Sequence, residues 1–217
     1  MSTGPDYFSN HALKLRFPWR LYHAPIVAGL QRAVVLSQGP EVLNLGSGPF
    51  LEFGSLDRLD RRFTVCDIDP RAIQLAKAHW GGLLAGADVV RADTKLPYGD
   101  AAFDLVVSMD VIEHVPDATR WAAEALRVLK PGGLLYLTTP NYASRSLRVI
   151  EATVLEAVAR YQGFSRRDIH PTKMTPDRLR SVLGDAGATR VHIEPAAFGW
   201  VLTAYAHKRE GTPRSAD

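Results

Sequence analysis

Three groups of residues in this chain have the types and spacing to do chemistry. The first is Gly46-Ser47-Gly48, which closes the apolar run EVLNLGSG from Glu41 to Gly48. Gly46 and Gly48 lack the Cβ that keeps a main chain away from a ligand, so the turn can floor a nucleotide-like site. A Gly-x-Gly pair fits a tight loop without ligand equally well, and the other residues have to decide. Asp67 ends a second apolar run about 20 residues later, the spacing at which an acid on one strand reaches a ribose held at the preceding strand. Its alternative role is to join a turn with Asp69. The third group is SMDVIEHVPD, Ser108 to Asp117. It supplies His114, whose imidazole titrates near neutrality and can act as a base, position a substrate or simply pack. Glu113 beside it can orient His114 or a helix end. His170, just before Pro171, is a weaker candidate base and equally a loop residue anchoring a lid.

The elements that must position these residues follow from hydrophobic period. Val42, Leu43 and Leu45 have the character of a strand buried on both faces. Phe63 to Cys66 forms a second strand, and Asp69 caps a helix with Pro70 in its first turn and Ile73, Ala76 and Trp80 on its buried stripe. A third strand at about Asp88 to Arg91 leads to Asp93 and Thr94, and a fourth runs from Phe103 to Ser108. Asp117 caps a helix through Lys130, stopped by Pro131-Gly132-Gly133, and Leu134 to Thr138 is a fifth strand. Strands alternating with helices over short connections predict a mostly parallel sheet with right-handed crossovers. Ligands of such sheets sit outside the carboxyl ends of the strands, where all three groups fall.

Flanking segments are more open in their reading. Residues 1 to 38 pass from polar to basic and aromatic and then, beyond Pro25, into a helix from about Ile26 to Leu36. They read as a helical cap: a lid gripping a ligand, or helices covering a sheet edge with solvated cations. Leu147, Ile150, Val154, Val158 and Tyr161 define one face of a long helix from Tyr142, an insertion over about residues 142 to 172. A helix capped by Thr175 with Pro176 at its first position follows, and then two strands, about Arg190 to Ile193 and Phe198 to His207, predict an antiparallel edge hairpin. The main domain thus spans residues 39 to 210, and residues 211 to 217 read as a disordered tail.

Composition narrows the function classes. A chain of 217 residues, 46% hydrophobic and 23% charged, suits one large domain or one domain with a lid. Its 26 Lys+Arg against 23 Asp+Glu, net +3, are spread along the chain and give no concentrated face for nucleic acid. The single cysteine, Cys66, forms no intramolecular disulfide and no Cys-based zinc cluster, and its apolar flank predicts a buried thiol in a reducing, cytoplasmic setting. No window approaches the roughly 20 apolar residues that span a bilayer, and the first residues lack the order of a signal peptide. Transient membrane contact is left open, as is oligomeric state.

The segments VLNLGSG, VCDIDP, RADTKLPYGDAAFDLVVSMDVIEHVPD and LKPGGLLYLTTPN stand in the order and spacing of the class I S-adenosylmethionine-dependent methyltransferases, in the group with an EHV-type motif. Over about residues 41 to 141 the chain resembles that family, and HPTKMTPDRLRSVLGDAGA is similar to its later part. The resemblance implies a Rossmann-like α/β doubly wound sheet of seven strands in order 3-2-1-4-5-7-6, with strand 7 antiparallel. It places Gly46, Ser47 and Gly48 against the methionine and ribose of S-adenosylmethionine. It also assigns the ribose hydroxyls to Asp67, adenine packing to Ile68, the adenine amino group to Asp93 with Thr94 beside it, and a wall near the methionine to Met109. The family usually has an acid where this chain has Asn44, and a glycine where it has Phe50. The implied activity is methyl transfer to a small, partly apolar acceptor, at a hydroxyl oxygen, without a metal. Two other readings share the glycine turn: a cofactor-binding scaffold without catalysis, and a nicotinamide-dependent oxidoreductase, whose G-x-G-x-x-G pattern is broken by Leu51.

Overall fold

The computed structural model describes residues 20–92, 95–150 and 171–210. Asp93, Thr94, His170, most of the expected insertion, the first part of the expected cap and the expected tail lie outside them. Helix α1 (Arg20–Leu36) precedes β1 (Glu41–Leu45), β2 (Arg62–Asp67), α2 (Pro70–Trp80), β3 (Gly86–Val89) and β4 (Phe103–Met109). Then follow α3 (Ala118–Val128), β5 (Leu129–Pro140), α4 (Arg145–Ile150), α5 (Pro176–Asp185), β6 (Ala188–Ala196) and β7 (Val201–Lys208). The seven strands form one sheet in the order β3-β2-β1-β4-β5-β7-β6. β7 is antiparallel to both neighbours and the other pairings are parallel. This is the expected doubly wound, Rossmann-like sheet.

Each face of the sheet has its own apolar layer. On one, Leu30 and Val34 of α1 and Ile73 and Ala76 of α2 pack with Val42, Phe63, Leu105 and Tyr136. On the other, Ala122, Ala125 and Leu126 of α3 and Leu179 and Leu183 of α5 pack with Leu43, Val106, Leu135 and Leu202. Adjacent residues of one strand, such as Val42 and Leu43, thus serve opposite layers, which is why the strands are apolar throughout. Caps set the helix starts: Asp69, Asp117 and Thr175 each accept a main-chain N–H of the first turn, from Arg71, Arg120 and Arg178. No helix among the described residues is long and apolar enough to cross a membrane.

Several boundaries differ from those read in the sequence. Helix α1 is already formed at Arg20, the first described residue, so Pro25 lies inside it instead of before it. The proline has no N–H to give the helix at that position. Two phenols then hold the helix on the sheet, as Tyr136 donates to Ile26 O (2.9 Å) and Tyr205 to Gly29 O (3.2 Å). The third strand lies at Gly86–Val89, earlier than expected. Strand β5 begins at Leu129, so Pro131-Gly132-Gly133 is inside it and not a stop before it. These residues form an irregularity where pairing jumps from Phe103↔Leu129 to Leu105↔Leu134. The closing hairpin is antiparallel as expected, but its turn is Ala197–Gly199, and Phe198 belongs to that turn and not to β7.

Candidate active site

The glycine turn leaves β1 in left-handed backbone, with φ of 73° at Gly46 and 54° at Gly48. A Cβ on Gly46 would lie 2.5 Å from Val111 Cγ2, so the loop after β4 closes directly over it. Gly46 and Ser47 donate to Cys66 O at 2.9 and 3.0 Å, which fastens the turn to β2. Asp67 completes the fastening. Its Oδ2 accepts from Gly48 N (2.8 Å) and its Oδ1 from Asp69 N (2.9 Å). The turn-joining role and the ligand-facing position therefore coexist: each oxygen carries one main-chain N–H and keeps a further lone pair for a hydroxyl. Ile68 beside it is 62% exposed, an apolar side chain available to a flat ring.

The two residues that depart from the family pattern are accommodated differently. Phe50 keeps the left-handed conformation, φ 52°, that a glycine would adopt freely. Its ring is fully buried, 5.3 Å from Phe53 and 5.8 Å from Phe63. Left-handed backbone costs about 1–2 kcal/mol for such a residue, and burying an aromatic ring offsets it with about 1.5–3 kcal/mol. A short 3-10 turn, Leu51–Ser55, follows. Asn44 is fully buried, and neither its Oδ1 nor its Nδ2 reaches a partner. It pairs with Val65 and Val107 on the two flanking strands, just below the glycine turn. A buried amide without partners costs about 1–3 kcal/mol; a polar ligand group or a water there would remove that cost.

On the other side of the crevice, Ser108 Oγ donates to Leu45 O (2.7 Å) and ties β4 to β1. Met109 is half-buried, beside the cluster of Ile26, Ala197 and Val201. Asp110 has φ 53°, donates its N–H to Thr138 O (3.1 Å) and accepts from Thr138 Oγ1 (2.9 Å). Glu113 is 1% exposed. Thr139 Oγ1 donates to its Oε2 (3.1 Å), and its main-chain oxygen accepts from Thr172 N (3.1 Å). Burial, and secondly the negative Asp110, push the Glu113 carboxyl up to about 8. At neutral pH it is therefore largely protonated. His114 Nε2 lies 4.0 Å from Glu113 Oε1, with the imidazole 42% exposed.

The structure thus brings Asn44, Gly46, Ser47, Gly48, Asp67, Ile68, Met109 and His114 to one edge of the sheet. The sequence reading missed Glu113 as a buried, uncharged acid and its partners Asp110, Thr138 and Thr139. Two threonines ending an apolar strand, Thr138-Thr139, are the signal that polar partners wait there. Chemically, the edge offers a Cβ-free cradle, a carboxylate with spare lone pairs, an exposed apolar side chain and a buried amide lacking partners. Those features fit a ligand with vicinal hydroxyls, a flat base and a polar amino-acid end.

Known proteins agree with that geometry. The pattern of the family described as "Methyltransferase domain" matches residues 43–137. The chain is 36% identical over 107 residues to a ubiquinone biosynthesis O-methyltransferase of Xanthomonas oryzae pv. oryzae (strain PXO99A), 48% of this chain and 44% of that one. It is 29% identical over 174 residues to the ubiquinone biosynthesis O-methyltransferase of Cereibacter sphaeroides (strain KD131 / KCTC 12085), 77% of this chain and 69% of that one. The chain spans a little under half the length of the first curated relatives it matches. A SAM-dependent methyltransferase of Thermotoga maritima shares the fold with a TM-score of 0.67 at 18% identity, over 94% of this chain and 96% of that one. With the strand order, the glycine turn and the strand-tip acid in place, residues 43–137 carry the methyltransferase-domain pattern on the fold of the class I S-adenosylmethionine-dependent methyltransferases, and S-adenosylmethionine is the cofactor which that domain implies.

Proposed function

We propose that this chain transfers a methyl group to a hydroxyl oxygen of a small, partly apolar acceptor. The observation that carries the reading is the fusion of Gly48 and Asp67 into one hydrogen-bonded unit under the loop that bears His114. The O-methyltransferase names of the relatives support a hydroxyl acceptor.

Bound S-adenosylmethionine supplies a sulfonium-activated methyl group that an acceptor oxygen takes by in-line displacement. The protein has to supply orientation, desolvation and a destination for the acceptor proton. Asp67 accepts the ribose hydroxyls while Gly48 N and Asp69 N hold its carboxylate still. Gly46, Ser47 and Gly48 let the main chain approach, Ile68 covers the adenine, and Asn44 offers its unpartnered amide to the amino-acid end. Asp93 accepts from the adenine amino group with Thr94 beside it, and Met109 contributes to the wall by the methionine. His114 takes the hydroxyl proton at its imidazole, and Glu113 anchors the loop through Thr139 and Thr172.

Incubating the chain with methyl-labelled S-adenosylmethionine and fractionated small-molecule extract tests this directly. The label is expected in an acceptor released by mild demethylation at oxygen. Saturable cofactor binding with no labelled acceptor identifies a scaffold instead.

A further inference from the structure

The turn between β6 and β7 holds three successive left-handed residues, Ala197 at φ 46°, Phe198 at 62° and Gly199 at 79°. Two of them carry side chains, and such a run persists only where its surroundings enforce it. Asn141, just past β5, does so: its N–H donates to Trp200 O (2.7 Å) and its Nδ2 to Gly199 O (2.8 Å). Ala197 is buried against Ile26 and Val201. The outcome is Phe198 held 71% exposed at the tip of a rigid turn. Trp200 stands 5.6 Å behind it, and its indole N–H is spent on Ser146 Oγ at the start of α4 (3.0 Å), so the ring is fixed. Leu21 of α1 is 51% exposed, and Tyr22 beside it packs on Ile26, Ala197 and Val201.

The stretches that meet at this apolar tip carry cations and no acid of their own. No Asp or Glu occurs in residues 20–40, 138–150 or 195–209, although the whole chain is close to charge balance. Arg20, Arg145, Arg148 and Lys173 are exposed on the elements that meet there, and none is paired with a carboxylate of a described residue. Lys173 instead lies 5.6 Å from the centroid of the Tyr142 ring. A protruding aromatic ring framed by unpaired cations is complementary to a surface that is anionic outside and apolar beneath.

We propose that this end of the molecule, centred on Phe198, docks reversibly on an anionic lipid bilayer. Phe198 and Leu21 enter the boundary between headgroups and acyl chains, the rim of Trp200 lies at headgroup level, and the arginines meet lipid phosphates. The docking itself rests on neither donor nor acceptor.

Cosedimentation of the full chain with vesicles tests it, using pure phosphatidylcholine and phosphatidylcholine mixed with phosphatidylglycerol, at low and high salt. The chain is expected to bind the anionic vesicles, to leave them as salt rises, and to ignore the neutral ones. Phe198→Asn keeps a residue that tolerates left-handed backbone, so it folds, and it is expected to abolish most of the binding. Arg145→Gln with Arg148→Gln is expected to lower partition by roughly fivefold per arginine. Absence of binding to anionic vesicles, or binding indifferent to both variants, overturns the proposal. So does a concentration-dependent dimer that Phe198→Asn dissolves, since the surface would then belong to a second copy. Because no cofactor enters the assay, a failure here says nothing against methyl transfer.

Discussion

Thr139 Oγ1 lies 3.1 Å from Glu113 Oε2, so an acid with 1% exposure is held by a hydroxyl and not by a cation. Its carboxyl is raised from 4.5 to about 8. The native state therefore keeps a proton that the unfolded chain has already released, and stability falls as pH rises across that interval. Glu113→Gln mimics the protonated form. It is expected to fold with a melting temperature at neutral pH equal to or above that of the wild type, and to lose the decline between pH 4.5 and about 8. Melting curves across pH check this, and an unchanged slope contradicts it.

Asn44 is the second buried group whose environment makes a measurable demand. Asn44→Leu removes two polar atoms that have no partners. Stability of the free protein is expected to rise by about 1 kcal/mol while cofactor affinity falls. Denaturant unfolding and calorimetry read the two effects separately. Loss of both stability and affinity would place the amide in a structural role.

Gly46 has no room for a side chain. A Cβ would meet Val111 Cγ2 at 2.5 Å, and the residue has φ 73°. Gly46→Ala is expected to destabilise by roughly 1–3 kcal/mol and to weaken cofactor binding, because the loop bearing Val111 must lift off the turn. Chemical denaturation gives the first quantity, and a neutral result would mean the loop yields freely.

His114 stands half-exposed beside the neutral Glu113. His114→Ala is expected to lower turnover by roughly a hundredfold or more with cofactor affinity little changed. Single-turnover rates and cofactor titration read the two effects separately. Unchanged turnover would assign His114 to packing.

The strands and the cofactor edge were legible because apolar runs ending in Gly46-Ser47-Gly48, Asp67 and Ser108 carry their own boundaries. What escaped was set by contacts between distant segments. Strand β5 reaches back to Leu129 because Lys130 binds Asp104 (2.8 Å) across the β4–β5 irregularity, which no local pattern reveals. The left-handed turn at Ala197 and Phe198 has no glycine at either position, and Asn141 from another strand enforces it. Glu113 reads in sequence as a surface acid next to a histidine. Its burial depends on Thr139 and Thr172, the latter more than fifty residues away.

The central claim is that the Gly48–Asp67 unit binds S-adenosylmethionine, and titration calorimetry tests it most directly. The wild-type chain should bind the cofactor saturably, and Asp67→Ala should bind it roughly tenfold more weakly or worse, about 1.4 kcal/mol. No saturable binding by the wild type, or equal affinity in Asp67→Ala, would contradict it.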